Sequence, residues 1–216
     1  MIRVLIADDQ AIVRAGLRVV LEASGDIEVV GEAVDGYEAV DLARELTPDV
    51  VCMDIRMPGR DGIAATRILA EESVAPVLVV TTFDIDDYVF GALEAGAAGF
   101  LLKGADEEAL VGAIRSVAAG EGTLDQKITR RVLSEFAGRR SSPDRSTDAV
   151  AESLTPRELD ILRLLSEGLS NQEMAARLFI EASTVKYHLA GLLAKIGARD
   201  RLQAVVWAFR NGLDAG

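Results

Sequence analysis

The first 120 residues alternate between two hydrophobic patterns. Short aliphatic runs without polar alternation occupy residues 2–7, 27–31, 49–53, 76–81 and 99–102. Segments whose apolar residues recur every three or four positions follow them, at 11–24, 35–46, 61–72, 86–96 and 106–119. The first pattern is typical of strands buried on both faces, and the second of amphipathic helices. This alternation predicts an α/β doubly wound fold in which five parallel strands form the sheet.

The remainder of the chain follows a different pattern. Residues 125–138 are compatible with one amphipathic helix, and 138–153 contain no aromatic residue and few aliphatic ones, as is typical of a linker. Helical periodicity then returns near 156–167, 171–178, 182–196 and 199–211. The expected organisation is an α/β domain over residues 1–120, a helix and flexible linker over 121–152, and a small all-α domain over 153–216.

Explicit start and stop signals support the helices of the second half. Thr155 with Glu158, and Ser170 with Glu173, have the spacing of capping boxes, and Pro156 stands at a first helical position. Glycines follow three of the helices where C-terminal caps are expected, at Gly168, Gly197 and Gly212.

The charge of the chain is unevenly distributed. The 216 residues carry a net charge of −12, but residues 1–119 hold 22 Asp+Glu against 9 Lys+Arg, whereas the rest holds 13 against 14. The acidic front half disfavours contact with nucleic acid and suits a cation site, so the two halves are expected to bind different partners.

The N-terminal sequence and the single cysteine bear on location. No basic region precedes the apolar run of MIRVLIADD, and no apolar stretch approaches the ~20 residues that span a bilayer. Cys52 lies inside an apolar run and is most simply read as a core side chain in a reducing compartment. We therefore expect an unexported, cytoplasmic protein that does not associate with membranes.

Polar side chains stand where the predicted strands end. Because ligands of open parallel sheets bind beyond the carboxyl ends of the strands, these side chains are expected to converge. They are Asp8 and Asp9 after the first strand, Asp54 after the third, Thr81 and Thr82 at the fourth, and Lys103 after the fifth.

Three neighbouring carboxylates predict a divalent cation, and an oxygen-rich site of few protein ligands suits Mg²⁺. An aspartate beside Mg²⁺ and a lysine is able to attack phosphorus and form an aspartyl phosphate. Asp54 is the best candidate for this nucleophile, because Asp8 and Asp9 form a pair suited to metal binding. The alternative interpretation is a purely structural network of aspartates and a lysine.

The motifs ADDQ, DVVCMDIRMPGRDG, VLVVTTFD and GAAGFLLK, in this order, resemble the receiver domain of bacterial two-component response regulators. The resemblance covers about residues 1–120 and implies a flavodoxin-like fold. It implies that Asp54 accepts a phosphoryl group from a sensor histidine kinase. It also implies that Asp8, Asp9 and Asp54, with the backbone carbonyl of Arg56, hold Mg²⁺.

The same resemblance assigns a conformational switch. It selects Thr81 rather than Thr82 as the threonine that binds the phosphoryl group with Lys103, and it places the aromatic switch residue at Phe100. We expect Thr81 to move toward the phosphoryl oxygen and Phe100 to follow, which changes the surface around the last two strands. Gly104 departs from the family, where proline or aspartate commonly follows the lysine, and is expected to tune the lifetime of the phosphorylated state.

The second half has the arrangement of a helix-turn-helix, a short helix followed by a turn and a second helix. The second of these helices is expected to expose Thr184, Lys186, Tyr187, His188 and Lys195, and residues 177–210 carry a modest positive charge. On the residues alone, DNA binding and an ordinary solvated helix face stay open as interpretations.

The motifs LTPRE, GLSNQEMAARL and STVKYHL resemble the LuxR-type helix-turn-helix, and the whole chain resembles the NarL/FixJ class of response regulators. The resemblance implies that the second helix enters the major groove of double-stranded promoter DNA. Its base contacts would be Lys186, Tyr187 and His188, and its phosphate contacts Ser183, Thr184 and Lys195.

Two residues depart from the pattern of this helix-turn-helix and are expected to weaken phosphate binding: Glu181 stands at a usual Ser or Thr cap, and Ala190 at a usual basic contact. We therefore expect a homodimer on paired half-sites. The family implies that the last helix forms the contact, with Val205, Val206 and Phe209 partly exposed. RNA polymerase is a further candidate partner.

These features predict a DNA-binding transcriptional response regulator, Mg²⁺-dependent, in which phosphorylation of Asp54 promotes dimerisation and promoter binding. It would not be an enzyme beyond its own phosphorylation and dephosphorylation. Two alternatives compete with this prediction. A phosphatase or phosphotransferase usually has a general acid two positions after the nucleophile, and Arg56 stands there instead. A regulator that acts through interactions alone would not need the full set of site residues.

Overall fold

The computed structural model describes residues 1–82, 86–120, 123–124, 153–211 and 213. The helix predicted over 125–138, most of the predicted linker and the predicted cap Gly212 lie outside the described residues. The chain divides into two compact units, Met1–Asp125 and Gln126–Gly216.

The aliphatic runs of the first unit form a parallel sheet. Its strands are β1 (Ile2–Ala7), β2 (Ile27–Ala33), β3 (Val50–Met53), β4 (Val77–Thr81), β5 (Gly99–Leu102) and β6 (Thr123–Leu124), in the spatial order β2-β1-β3-β4-β5-β6. The strand order reverses beside β1, whose neighbours are β2 and β3. This reversal is the position at which doubly wound sheets bind ligands.

Helices cover both faces of this sheet. They are α1 (Ala11–Ala23), α2 (Gly36–Leu46), α3 (Gly62–Glu71), α4 (Asp86–Glu94) and α5 (Glu107–Ala118). Asp35, Asp61 and Asp106 cap α2, α3 and α5 through side-chain bonds to first-turn amides. α1 and α5 pack together, while α2, α3 and α4 pack in a row. The doubly wound prediction is confirmed, and the central strands are buried on both faces.

The sheet differs from the prediction at one edge. Within the described residues it has six strands, because Thr123 and Leu124 pair parallel with Gly99 and Phe100 of β5. A strand of two residues has no hydrophobic periodicity of its own. It forms because β5 is an edge strand whose backbone groups are available for pairing.

Helices form the described part of the second unit. They are α6 (Pro156–Ser166), α7 (Asn171–Leu178), α8 (Ala182–Ile196) and α9 (Arg201–Arg210). Both predicted capping boxes are present, at Thr155 and at Ser170. Gly168 and Gly197 adopt the left-handed φ values of 82° and 68° that end helices. Among the described residues no helix has the length and apolar character needed to cross a membrane.

Candidate functional site

The carboxyl ends of β1 and β3 bring three aspartates together. Ala7 pairs with Met53 across these strands, so the next residues, Asp8 and Asp54, emerge side by side. One carboxylate oxygen from each of Asp8, Asp9 and Asp54 lies within 4.8 Å of the others. Asp8 is 1% exposed and Asp54 is 5% exposed, whereas Asp9 faces solvent. The predicted cluster is therefore one buried pair with an open side.

Lys103 joins the two buried carboxylates. Its Nζ lies 2.6 Å from Oδ2 of Asp8 and 2.8 Å from Oδ2 of Asp54. The contact to Asp8 is an ion pair without regular hydrogen-bond geometry, whereas Lys103 donates a hydrogen bond to Asp54. Burial alone would lower the pKa of Lys103, but its hydrogen bond to Asp54 and the negative charges of Asp54 and Asp8 outweigh burial and raise that pKa. Lys103 is therefore a fixed positive charge at neutral pH.

Backbone contacts orient the carboxylates. The amide of Ile55 donates to Oδ1 of Asp54 at 2.8 Å, and the amide of Gln10 donates to Oδ1 of Asp8 at 2.9 Å. Arg14, which sequence reasoning missed, donates from Nη1 to the carbonyl of Asp8 at 2.7 Å and from Nε to Glu32 at 3.0 Å. A basic residue one turn into the helix that follows an acidic pair was the only sequence signal for this role.

The predicted switch residues lie in the sheet behind the carboxylates. Thr81 ends β4 and is fully buried, and its carbonyl accepts the amide of Lys103 at 2.8 Å. Phe100 is fully buried in β5 opposite Val79 of β4. Thr82 is exposed, so the two adjacent threonines occupy different environments. Arg56 is exposed in the segment that follows Asp54.

The composition of the cluster fits a divalent cation. Three carboxylates carry three negative charges when ionised, and Lys103 offsets one of them. Mg²⁺ prefers hard oxygen ligands and keeps several waters, which the exposed side at Asp9 allows. The donor set and its charge therefore match Mg²⁺.

Helix α8 presents a polar face to solvent. Ser183, Lys186, Tyr187 and Ala190 are exposed at helical spacing, while Val185, Leu189 and Leu192 pack inward. Thr184 and His188 flank this stripe and are partly exposed, and the His188 ring meets that of Tyr187 edge to face, with centroids 5.4 Å apart. All the predicted base contacts therefore lie on or beside one accessible face. Glu181 occupies the N-cap of α8 and makes no side-chain cap bond.

Lys195, near the C-terminal end of α8, forms an ion pair within the second unit. Its Nζ lies 2.7 Å from Oε2 of Glu158 and 3.2 Å from the carbonyl of Ser153. Burial alone would raise the pKa of Glu158, but Lys195 and the capping contacts of Thr155 hold that pKa below its usual value. Lys195 is exposed, but its charge is paired within the unit, which gives the side chain a structural role; its predicted phosphate contact stays a prediction.

The last helix corrects an expectation about exposed side chains. Val205 and Val206 of α9 are 5% and 3% exposed, so neither is available to a partner in this conformation. Val205 is buried because it packs in the core of the unit with residues of α6 and α8. Among the described side chains of α9, the partly exposed ones are Arg201, Gln203, Trp207 and Phe209.

Two family models match the chain. One is described as response regulator receiver domain and matches residues 4–115, and the other as bacterial regulatory proteins, luxR family, and matches residues 152–208. The transcriptional regulatory protein LiaR of Bacillus subtilis is 46% identical over 216 residues, with 99% of each chain covered. The oxygen regulatory protein NreC of Staphylococcus aureus is 37% identical over 213 residues, with 98% of each covered.

Solved structures agree with these relatives. The crystal structure of the response regulator ChrA from a heme-sensing two-component system is 41% identical, with a TM-score of 0.55 and 98% of each chain covered. A LuxR-family response regulator from Aurantimonas sp. SI85-9A1 is 38% identical with a TM-score of 0.60, and the match covers 63% of this chain and 99% of the other.

The family resemblance predicted from the motifs is thus confirmed over both units. An acidic cluster stands at the switch point of the sheet in the first unit, and the second unit exposes a polar helix after a turn. Family models and near full-length relatives match both parts. The chain therefore belongs to the response regulators of two-component systems, in the NarL class that joins a receiver domain to a LuxR-type DNA-binding domain, and it is a transcription regulator.

Proposed function

We propose that this response regulator is activated when a sensor histidine kinase transfers a phosphoryl group to Asp54. The observation that carries the proposal is the position of Asp54, which is nearly buried, bonded to Lys103 at 2.8 Å and clustered with two further carboxylates. We further propose that residues 1–120 form the phosphoacceptor domain, 121–152 the connection, and 153–216 the DNA-binding domain.

The transfer is an in-line displacement at phosphorus. A carboxylate oxygen of Asp54 attacks the phosphorus of the kinase phosphohistidine, and the phosphorus–nitrogen bond breaks. The leaving imidazole keeps the electron pair of that bond. Lys103 is held beside Asp54 and stabilises negative charge on the phosphoryl oxygens, and the hydroxyl of Thr81 donates to one of them. Hydrolysis of the acyl phosphate by water later restores Asp54.

Asp8, Asp9 and Asp54, with the backbone carbonyl of Arg56, would hold Mg²⁺ at this site. When bound, the cation neutralises charge on the transferring phosphoryl group. Hydrogen bonds within the chain orient these ligands: the Ile55 amide orients the carboxylate of Asp54, and Arg14 fixes the carbonyl of Asp8.

Phosphorylation would then change the surface of the receiver. Thr81 is buried and linked through its backbone to Lys103, so a phosphoryl group bound by both residues couples the ends of β4 and β5. When Thr81 moves toward the phosphoryl group it leaves a space, and the buried ring of Phe100 moves into that space. The change is carried to the surface around α4 and β5 and favours association of two copies.

The dimer would bind two half-sites of promoter DNA through α8. Lys186, Tyr187 and His188 would contact base edges in the major groove, and Ser183 and Thr184 would contact phosphates. The few basic residues on this face give one subunit a small electrostatic contribution, so pairing of subunits supplies the affinity. RNA polymerase is the further partner through which promoter binding would affect transcription.

The experiment compares the wild-type protein with Asp54→Asn. Each protein is incubated with Mg²⁺ and a small acyl phosphate, and its mass, its oligomeric state and its affinity for DNA selected from a random pool are measured. We expect the wild type alone to gain one phosphoryl group, to dimerise and to bind DNA more tightly. Asp41→Asn is the matched control, because Asp41 is a 78% exposed carboxylate on α2, and it should behave as the wild type.

Three results would oppose the proposal. If Asp54→Asn gains the same mass, the phosphoacceptor lies elsewhere. If neither protein takes up phosphate, a regulator that acts through interactions alone is favoured. If phosphorylated wild type shows unchanged oligomeric state and DNA affinity, phosphorylation does not control binding.

A further inference from the structure

The loop formed by residues 55–62 joins β3 to α3 and carries the Arg56 carbonyl. Its ends are fixed beside Asp54, because the amide of Gly62 donates to the carbonyl of Ile55 at 2.8 Å. A Cβ at Gly62 would overlap the carbonyl oxygen of Asp54, so the loop closes on the strand end without space for a side chain. Ile55 is 1% exposed and anchors this end in the core.

The middle of loop 55–62 is held by helix α2. The amide of Gly36 donates to the carbonyl of Arg60 at 3.0 Å, and a Cβ on Gly36 would lie only 2.5 Å from that oxygen. The guanidinium carbon of Arg60 lies 4.2 Å from the ring centroid of Tyr37. A Cβ at Gly59, where φ is +71°, would lie 3.2 Å from the same ring. The ring therefore contacts two adjacent positions of the loop.

Tyr37 is itself well placed to restrain the loop. Oδ1 of Asp35 accepts the amides of Tyr37 and Glu38 at 2.8 and 2.9 Å, which fixes the first turn of α2. The Tyr37 side chain is 53% exposed, so burial in the core does not account for its position. Its ring lies against Arg60 and Gly59, in a loop whose backbone includes a proposed metal ligand.

We propose that Tyr37 is a positioning residue for the phosphorylation site. By stacking on Arg60 and covering Gly59, its ring holds loop 55–62, and with it the Arg56 carbonyl, where a divalent cation beside Asp54 would use that oxygen. The inference deepens the proposed function and rests on it for the metal. Helix α2 contributes no residue to the acidic cluster, but through Tyr37 it would affect the affinity for the cation.

The test compares Tyr37→Leu and Tyr37→Phe with the wild type. Mg²⁺ binding to the full, unphosphorylated chain is measured by titration calorimetry, and hydrogen exchange is measured over residues 55–62 without and with Mg²⁺. Because an exposed cation–π contact is modest, we expect Tyr37→Leu to raise the Mg²⁺ dissociation constant about two- to fivefold. Exchange in the loop should be faster in this variant even without the cation. Tyr37→Phe retains the ring and should match the wild type.

Arg115→Gln is the control for loss of an exposed arginine. Arg115 of α5 pairs with Asp26 at 2.8 Å. Asp26 precedes β2 and so lies at the amino end of the strands, whereas Asp54 lies at their carboxyl end, and loss of Arg115 should leave both measurements unchanged. If Tyr37→Leu keeps wild-type affinity and wild-type exchange, the inference is overturned. It is equally overturned if Tyr37→Phe is as impaired as Tyr37→Leu, since the ring would then not be the determinant.

Two further outcomes keep the inference separate from the proposed function. If Tyr37→Leu does not fold, Arg60→Gln removes the same contact from the loop side, and the same two measurements decide. If the wild type binds no Mg²⁺, the metal-dependent part of the proposed function fails. Hydrogen exchange in the absence of the cation still tests whether Tyr37 restrains the loop.

Discussion

The role inferred for Lys195 depends on the side chains that surround it. A lysine on the candidate recognition helix is an obvious partner for DNA phosphate, yet its ammonium lies 2.7 Å from a carboxylate of Glu158. Glu158 is 5% exposed and also receives hydrogen bonds from the amide and hydroxyl of Thr155. The lysine therefore links the C-terminal part of α8 to the start of α6.

A first prediction concerns the acid stability of the second unit. The pKa of Glu158 is lowered, so its ionised form stabilises the native state above its unfolded pKa, and this stability is lost as pH falls through the lower native value. Glu158→Gln should therefore be less stable than the wild type at neutral pH and should lose less stability on acidification below about pH 4.5. The measurement is urea unfolding followed by fluorescence of Trp207, the single tryptophan, which lies in this unit.

Asp200→Asn provides a control of opposite sign. Asp200 is 6% exposed, and burial outweighs its hydrogen bonds and raises its pKa, so its ionised form costs stability at neutral pH. Asparagine keeps the helix cap and removes the charge, so this variant should gain stability at neutral pH relative to the wild type. Equal effects of the two substitutions would contradict the assignment of Glu158 as a stabilising carboxylate.

The acidic site was largely predictable residue by residue, whereas its supports were not. Asp8, Asp54 and Lys103 each directly follow a strand, and parallel strands bring their carboxyl ends together. Arg14 and Tyr37 are an ordinary helical arginine and an ordinary helical tyrosine in the sequence. Their roles depend on contacts with the Asp8 carbonyl and with Arg60, and such contacts have no sequence period.

At the scale of elements, α8 starts without the side-chain cap that α6 and α7 have. Thr155 and Ser170 each accept a bond from the third helical amide, whereas Glu181 makes none. The helix that presents the DNA-facing residues therefore begins without a side-chain cap and with a negative charge close to its DNA-binding end. Glu181, which replaces the Ser or Thr usual at this position, thus leaves the helix without a side-chain cap.

A second prediction follows for this helix. Glu181→Ser supplies a hydroxyl to the first turn and should raise the free energy of unfolding of the second unit by about 1 kcal/mol. Loss of the negative charge should also strengthen DNA binding. Trp207 fluorescence in urea measures the first effect, and Ser170→Ala, which removes an existing cap, should lower stability by a similar amount. No gain in Glu181→Ser would mean that the first turn of α8 is already satisfied without a side-chain cap.

Most elements were predicted because their patterns are local. Strands buried on both faces appear in the sequence as aliphatic runs, and capping residues mark where helices start. One helix start was predicted too early: α9 begins at Arg201, directly after its cap Asp200, and not at 199. β2 extends to Ala33 rather than ending at Gly31, because its pairing with β1 continues to Ala7. β6 was not predicted, since two residues carry no pattern and the pairing depends on the edge of β5.

At the scale of the whole molecule, charge and affinity for DNA are linked. The chain carries a net charge of −12, so binding to DNA depends on a few basic side chains that face the groove rather than on overall attraction. Lys186 is exposed on the accessible face of α8, whereas Lys195 contacts Glu158. The two lysines of one helix should therefore differ in their effect on salt dependence.

A third prediction compares these lysines in the phosphorylated full-length protein. Lys186→Ala should reduce the slope of log affinity against log salt by up to about 0.9 per subunit, the value for one neutralised phosphate charge, because it removes a cation from the surface that faces the groove. Lys195→Ala should leave the slope near the wild-type value and lower the stability of the second unit. Anisotropy titrations of labelled DNA at several salt concentrations measure the slopes. A slope change for Lys195→Ala equal to that for Lys186→Ala would support the phosphate contact predicted for Lys195.

The sequence by itself determined the strand and helix pattern, the acidic and basic halves, and the residues Asp8, Asp9, Asp54 and Lys103, because burial, capping and strand-end position leave local signals. Only the tertiary structure decided that Lys103 bridges two carboxylates, that Lys195 pairs with Glu158, and that Val205 and Val206 are buried. These properties depend on which side chains meet across elements distant in the chain. A pattern along one segment carries no information about the partner that packing places opposite it.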